Sequence, residues 1–243
     1  MSALSASAWG AGDGAAAQVM DQQVMVGRER ERRLLDGLLV AVAERGAALV
    51  LRGEPGMGKT LLLDYASADA LAAGARVVRL RGVESESVLP FAALADLLAP
   101  FRAGLADLPQ TQSSALEGCL ALAVGPPPNP LAVCAGTLNV LAAAADAAPV
   151  VVLVDDVQWV DASSRRVLLF VARRLSGEHV AMVLAVRSEA PEPSAWALPD
   201  VDPAGFPATA CRTAGGPRRQ AVPPGAGRSG ARHRRQPAGA AGP

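Results

Sequence analysis

Four apolar stretches of strand length alternate along this chain with segments whose apolar residues recur at helical spacing. The stretches are residues 47–53 (AALVLRG), 76–82 (RVVRLRG), 150–156 (VVVLVDD) and 180–187 (VAMVLAVR). Because these strands are apolar on both sides, both faces of the resulting sheet must be covered by other parts of the protein. Helices between successive strands supply that cover. The pattern therefore predicts an α/β fold in which helices lie on both faces of a parallel sheet.

The segments before and between the strands have the apolar spacing of helices. Helices are predicted at about 29–45, 60–73, 91–105, 131–145 and 164–175. In the first of them, Leu34, Leu35, Leu38, Leu39 and Val42 recur three or four residues apart, so we expect them to face the core.

Composition divides the chain into three parts. Residues 1–23 are rich in Ala, Gly and Ser and bury too little apolar surface to offset the entropy of ordering them. Residues 24–190 carry the alternating pattern and form the predicted core domain. Residues 191–243 are dominated by Pro, Gly, Ala and Arg. We therefore expect one folded domain between a disordered arm and a disordered tail.

The tail permits two interpretations. Lys59 is the only lysine among the 23 Lys and Arg residues, as GC-rich coding would give, and the tail resembles such DNA translated out of frame. A natural low-complexity tail would have the same composition. Both interpretations remain open.

Charge and cysteine content exclude several classes of protein. The 23 basic residues balance 23 acidic ones, which removes a whole-molecule electrostatic argument for nucleic acid or an acidic membrane. Cys119, Cys134 and Cys211 form no CxxC pair, and two histidines are too few for a zinc set. The N-terminus lacks the pattern of a secretory signal, and polar residues interrupt the apolar stretch 131–154. We expect a cytoplasmic protein without a membrane partner.

A glycine-rich loop follows the first strand. Residues 53–60 read GEPGMGKT and match G-x-x-x-x-G-K-[ST] between a strand and a helix. Such glycines let backbone N–H groups surround a phosphate, and the helix N-terminus adds its positive dipole. We expect Lys59 to reach the β- and γ-phosphates and the Thr60 hydroxyl to hold Mg²⁺. The candidate nucleotide-binding residues are Gly53, Glu54, Pro55, Gly56, Met57, Gly58, Lys59, Thr60 and Leu61.

Two carboxylates end the third strand. Parallel α/β sheets form their ligand crevice at the carboxyl ends of the strands, so these side chains are expected beside the glycine-rich loop. Asp155 is the second candidate metal ligand, directly or through water, and Asp156 is the candidate for orienting or deprotonating an attacking water. Because many strands end in Asp, the assignment depends on the loop that precedes it in the chain.

Together these motifs resemble one family. Segments 26–31 (VGRERE), 53–60 (GEPGMGKT), 152–161 (VLVDDVQWVD) and 183–189 (VLAVRSE) are similar to the nucleotide-binding core of AAA-like STAND ATPases in LuxR-type large ATP-binding transcriptional regulators. The resemblance covers residues 24–190. It implies a P-loop NTPase core that binds ATP or ADP together with Mg²⁺.

The resemblance also implies roles outside the loop. Val26 and Gly27 match the segment that packs on adenine, and Arg187 matches the polar sensor of the γ-phosphate; an ordinary helix entry and a surface arginine are the alternatives. Asp156 stands where most AAA-type ATPases have Glu, and STAND relatives with such an acidic pair are regarded as slow switches. Gln158 stands where many relatives have His. The catalytic candidates are Lys59, Asp156 and Arg187.

The later parts of that family have no counterpart here beyond about residues 196–203. In the family a fifth strand flanks the phosphate-loop strand, and a lid, repeat modules and a LuxR-type helix-turn-helix follow. We therefore expect an incomplete fold without a lid domain, from a truncated or frame-shifted regulator. Self-association stays open, and DNA is expected as a partner only if the helix-turn-helix were present.

Two other function classes compete with an ATP-binding switch, for which slow hydrolysis stays an open question. The guanine-reading N-K-x-D motif needs a second lysine, so GTP specificity by that route is excluded, whereas a P-loop small-molecule kinase stays open. Alternatively, the fold is a non-catalytic scaffold whose basic tail contacts proteins or nucleic-acid phosphates, although such a charge run is more often simply solvated. The tail arginines are Arg218, Arg219, Arg228, Arg232, Arg234 and Arg235.

Overall fold

Helices and strands alternate along the core of the chain. The computed structural model describes residues 28–122, 128–188, 198 and 200–201; the predictions for 1–23, Val26, Gly27, a lid and most of 191–243 lie outside these residues. The α-helices are α1 (Glu29–Val42), α2 (Lys59–Ala72), α3 (Ala92–Leu98), α4 (Gln110–Cys119), α5 (Pro130–Ala145) and α6 (Ala162–Ala172). The strands are β1 (Ala47–Gly53), β2 (Arg76–Arg81), β3 (Val150–Asp155), β4 (Val180–Arg187) and β5 (Asp200–Val201). Short 3-10 helices span Glu84–Glu86, Ala99–Asp107, Val157–Trp159 and Leu175–Gly177. None of the described helices is long and apolar enough to cross a membrane.

The strands form one parallel sheet in the order β2-β3-β4-β1-β5. Ala47 of β1 pairs with Ala181 of β4, and Val150 of β3 pairs with Val180 of β4. Parallel neighbours require a crossover connection, which the helices provide. The predicted α/β fold, with helices on both faces of a parallel sheet, is confirmed.

Alternating side chains build one core on each face of this sheet. In β3, Val151 and Leu153 pack with α1 and α2, whereas the even-numbered residues pack with α3, α4, α5 and α6. All five residues from 150 to 154 are fully buried. Asp155 continues the odd-numbered series, so its side chain lies on the face that α2 covers.

Asp161 fixes the beginnings of two helices at once. Its Oδ1 accepts hydrogen bonds from the N–H groups of Ser164 (2.8 Å) and Phe91 (2.9 Å), and its Oδ2 accepts one from Ala93 (3.3 Å). The Ser164 hydroxyl accepts a further bond from the N–H of Leu94 at 2.9 Å. These bonds satisfy donors that the first turns of α6 and α3 cannot pair internally. The chain after β3 is thereby tied to α3.

Three elements differ from the sequence-based prediction. The helix expected at 91–105 ends as α3 at Leu98 and continues as a 3-10 helix, because Pro100 has no N–H to extend the α-helical ladder. The sequence pattern gives no sign of α4, whose first half is polar. A short fifth strand pairs with Val50 and Leu51 of β1, where the pattern predicts none.

Replacing Asp161 with alanine should lower the free energy of unfolding by about 2–3 kcal/mol, because N–H groups at two helix starts, buried in α6 and partly buried in α3, lose their acceptor. Asn129 is the matched control: it caps only α5, through the N–H groups of Leu131 (2.9 Å) and Ala132 (3.3 Å). Its alanine variant should lose about 1 kcal/mol. Urea unfolding followed by circular dichroism measures both, and equal losses would contradict the double role of Asp161.

Candidate functional site

The loop from Gly53 to Lys59 has the backbone shape of an anion cradle. Gly56 and Gly58 have φ angles of 80° and 78°, in the left-handed region that residues with a Cβ rarely adopt. Gly58 immediately precedes α2, and no described side chain caps the first turn of that helix. Its N–H groups and the helix dipole therefore favour an anion at this point.

Lys59 is buried beneath the loop. It is 7% exposed, and its Nζ donates hydrogen bonds to the carbonyl oxygens of Gly53 (2.8 Å) and Glu54 (2.9 Å). Burial lowers the pKa of Lys59, an effect that the carboxylates of Asp156 and Asp155 oppose and Arg187 reinforces. Since the hydrogen-bond acceptors are neutral carbonyls, a phosphate would compensate this charge better than the loop does.

Thr60 and Asp155 meet although they lie far apart in sequence. The Thr60 hydroxyl donates a hydrogen bond to Asp155 Oδ2 at 2.7 Å, and Asp155 Oδ1 accepts one from the N–H of Asp156 at 3.0 Å. Asp155 is 4% exposed, which keeps its orientation fixed by packing. The structure thus brings together the two residues that the sequence predicts as metal ligands.

Asp156 and Arg187 lie side by side and are joined through Gln158. Asp156 Oδ1 accepts a hydrogen bond from Gln158 Nε2 at 2.7 Å and lies 3.7 Å from Arg187 Nε. Gln158 Oε1 accepts a hydrogen bond from the N–H of Arg187 at 3.2 Å. The ion pair is partly exposed and therefore weak. In the sequence, Gln158 is distinguished only as a departure from relatives, and the pattern does not predict this bridge.

The remaining residues of the predicted site occupy different environments. Val26 and Gly27 lie outside the described residues. The exposed residues of the loop are Glu54, Pro55 and Gly56, and the half-buried ones are Met57 and Gly58. Leu61 is partly buried and packs against the core of α1 and α2. The carbonyl of Met57 accepts a hydrogen bond from Arg28 Nη2 at 2.6 Å, a contact that the sequence pattern did not indicate.

Gly82 allows β2 to approach the turn that carries Asp156. A Cβ at this position would lie 2.3 Å from the carbonyl oxygen of Asp156 and 2.8 Å from the nitrogen of Val160. The N–H of Gly82 donates to the carbonyl of Asp155 at 2.9 Å. Any side chain here would therefore displace the turn after β3.

The donor atoms at Thr60 and Asp155 suit Mg²⁺. Both residues offer oxygen, and Mg²⁺ usually takes one or two protein oxygens together with waters and phosphate oxygens. Across residues 28–122 and 128–188, no three His, Cys, Asp or Glu side chains come together as a metal-binding group. Thr60 and Asp155 therefore suit a metal ion that would also bind a phosphate group.

Comparison with known proteins agrees with this geometry. A family profile described as "AAA ATPase domain" matches residues 24–184, about two thirds of the chain. The chain belongs to the AAA ATPase domain family. A search of curated proteins finds no match.

Two solved structures are distantly similar to this AAA ATPase domain. A DNA replication initiation factor is 14% identical with a TM-score of 0.39, over 72% of this chain and 46% of that one. A Trip13 protein from Rhizobiales is 15% identical with a TM-score of 0.39, over 76% of this chain and 66% of that one. The chain therefore covers less than two thirds of either protein.

Replacing Lys59 with methionine should change how stability depends on pH. The pKa of Lys59 is lowered in the folded protein from its ordinary value of 10.5. At pH values between the lowered pKa and 10.5, the unfolded chain therefore binds more protons than the folded chain. Folding is favoured as the pH rises through this interval, so the wild type should gain stability relative to Lys59→Met. Chemical unfolding without nucleotide, from neutral pH upward, measures the difference; parallel curves for the two proteins would contradict it.

Proposed function

We propose that this AAA ATPase domain is an ATP-binding switch module that hydrolyses ATP slowly, of the STAND type found in LuxR-type transcriptional regulators. The observation that best supports nucleotide binding is the 2.7 Å hydrogen bond between Thr60 and Asp155, which joins the end of the glycine-rich loop to the carboxylate at the end of β3. The STAND and regulator assignments rest on the resemblance of the sequence motifs. A cytoplasmic location is supported by the free thiols of Cys119 and Cys134.

The glycine-rich loop is the proposed phosphate-binding element. Its backbone N–H groups and the start of α2 bind the phosphate chain. Lys59 exchanges its bonds to the carbonyls of Gly53 and Glu54 for bonds to the β- and γ-phosphates, which compensates its buried charge. Thr60 and Asp155 would hold Mg²⁺, which neutralises phosphate charge when bound. Val26 and Gly27 are the proposed adenine contacts.

The proposal of slow hydrolysis rests on the contacts that the Asp156 carboxylate already makes. Asp156 is the group proposed to orient the attacking water and accept its proton, and Arg187 the group proposed to contact the γ-phosphate. Gln158 donates to the same carboxylate oxygen that faces Arg187. One acceptor oxygen is therefore already engaged, which restricts how a water can approach.

Lys59→Ala should weaken binding of Mg-ATP by roughly a hundredfold or more, because charge-assisted bonds to two phosphates are lost. The wild type is expected to bind with low-to-mid micromolar affinity or weaker. Arg45→Ala is the matched control, since it removes an exposed cation just after α1 and should leave binding unchanged. Isothermal titration calorimetry measures all three proteins. Equal binding by wild type and Lys59→Ala would end the proposal and favour a scaffold role.

Asp156→Asn should separate binding from hydrolysis. The amide keeps the size of the side chain but cannot accept the proton of water, so turnover should fall about a hundredfold. The affinity for Mg-ATP should change by no more than about threefold, since no bond to the phosphates is removed. Phosphate release under single-turnover conditions measures the rate. A variant that hydrolyses ATP as fast as the wild type would exclude Asp156 as the base.

A further inference from the structure

Among the described residues, the end of β4 has no neighbouring strand on the side of β3. The pairing between β3 and β4 stops at Val154 and Leu184, whereas β4 continues to Arg187. On its other side β4 stays paired with β1 as far as Gly53, whose carbonyl also accepts a hydrogen bond from the N–H of Ser188 at 3.2 Å. Within the part of the chain that the structure describes, the last residues of β4 therefore pair with β1 alone.

The side chain of Gln158 bonds to β4 where the pairing with β3 has ended. Its Oε1 accepts the hydrogen bond from the N–H of Arg187, and its Nε2 donates to the Asp156 carboxylate. The chain reaches this position because Asp156 has a φ of 50° and the 3-10 helix Val157–Trp159 follows at once. One amide thus connects the backbone of β4 to the carboxylate that follows β3.

Only some side chains can make both of these bonds. The bridge needs a donor on one side and an acceptor on the other, which an amide has. Glutamate has acceptors but no donor when ionised, and methionine has a similar length with neither strong donor nor strong acceptor. Histidine offers one donor and one acceptor nitrogen in its neutral form. Substitution can therefore remove one half of the bridge at a time.

We propose that Gln158 is a positioning residue that holds Asp156 and Arg187 together for recognition of the γ-phosphate. The inference rests on the proposed function for its role in nucleotide binding, but the bridge itself consists of contacts within the chain. ADP has no γ-phosphate, so loss of the bridge should affect ATP and not ADP. Gln158 acts through its neighbours and is not assigned a contact with the nucleotide.

Amide hydrogen exchange of the full chain tests the bridge without any nucleotide. In Gln158→Met the N–H of Arg187 should exchange roughly tenfold faster, the order that one hydrogen bond contributes. In Gln158→Glu, which keeps an acceptor, its exchange should stay near that of the wild type. The N–H of Ser188 should be unaffected in both variants. Unchanged exchange of the Arg187 N–H in Gln158→Met would overturn the proposal.

Gln112→Met is the matched control for this measurement. Gln112 accepts a hydrogen bond from Asn139 at 2.8 Å, between α4 and α5, so the same substitution removes a bond of similar length elsewhere. Exchange of the Arg187 N–H should be the same as in the wild type. If Gln112→Met accelerates it as much as Gln158→Met does, the effect is general loosening and the bridge is refuted.

Nucleotide binding tests the positioning role separately. With Mg²⁺ present, Gln158→Met should bind ADP as the wild type does and bind a non-hydrolysable ATP analogue roughly tenfold more weakly. Gln158→His should recover at least part of the lost affinity. Equal losses for both nucleotides, or no loss, would overturn the positioning role. A wild type that binds neither nucleotide would contradict the proposed function, while the exchange experiment would still decide whether the bridge exists.

Discussion

The position of β4 between β1 and β3 is the constraint on which the candidate site depends. Neighbouring strands lie about 4.8 Å apart, so the ends of β1 and β3 are separated by roughly 10 Å. To form the hydrogen bond between Thr60 and Asp155, the chain after β1 must therefore cross the width of β4. Left-handed glycines at 56 and 58 give the loop this path. The same strand order places Arg187, the last residue of β4, between the ends of β1 and β3.

Core packing fixes the direction of the carboxylates. Val151 and Leu153 are buried against α1 and α2, while their neighbours in β3 are buried on the opposite face. A shift of one residue in the register of β3 would exchange these faces and turn Asp155 away from α2. Because both faces are buried, such a shift would also disrupt two cores. The stability of the sheet and the geometry of the Thr60–Asp155 contact therefore have the same origin.

The sequence predicts the parts of this structure that depend on periodicity and on strand ends. The bounds of β4 follow from a continuous apolar run, and the contact between Thr60 and Asp155 follows from the rule that parallel strands end at one edge. The two-residue β5 is defined by backbone pairing and leaves no such signal. Gln158 was missed because its role depends on the left-handed turn at Asp156, which no apolar pattern encodes. The cap at Asp161 leaves a readable signal, an Asp directly before a helix.

The turn after β3 is held from three directions. Gly82 permits contact with β2, Asp161 accepts hydrogen bonds from the start of α3, and Gln158 reaches the end of β4. A left-handed conformation costs a non-glycine residue of order 1 kcal/mol and persists only where the surroundings determine it. These three contacts account for how Asp156 keeps such a conformation. Any displacement of Asp156 must consequently move or break a contact with β2, α3 or β4, so a change at its carboxylate cannot remain confined to the turn.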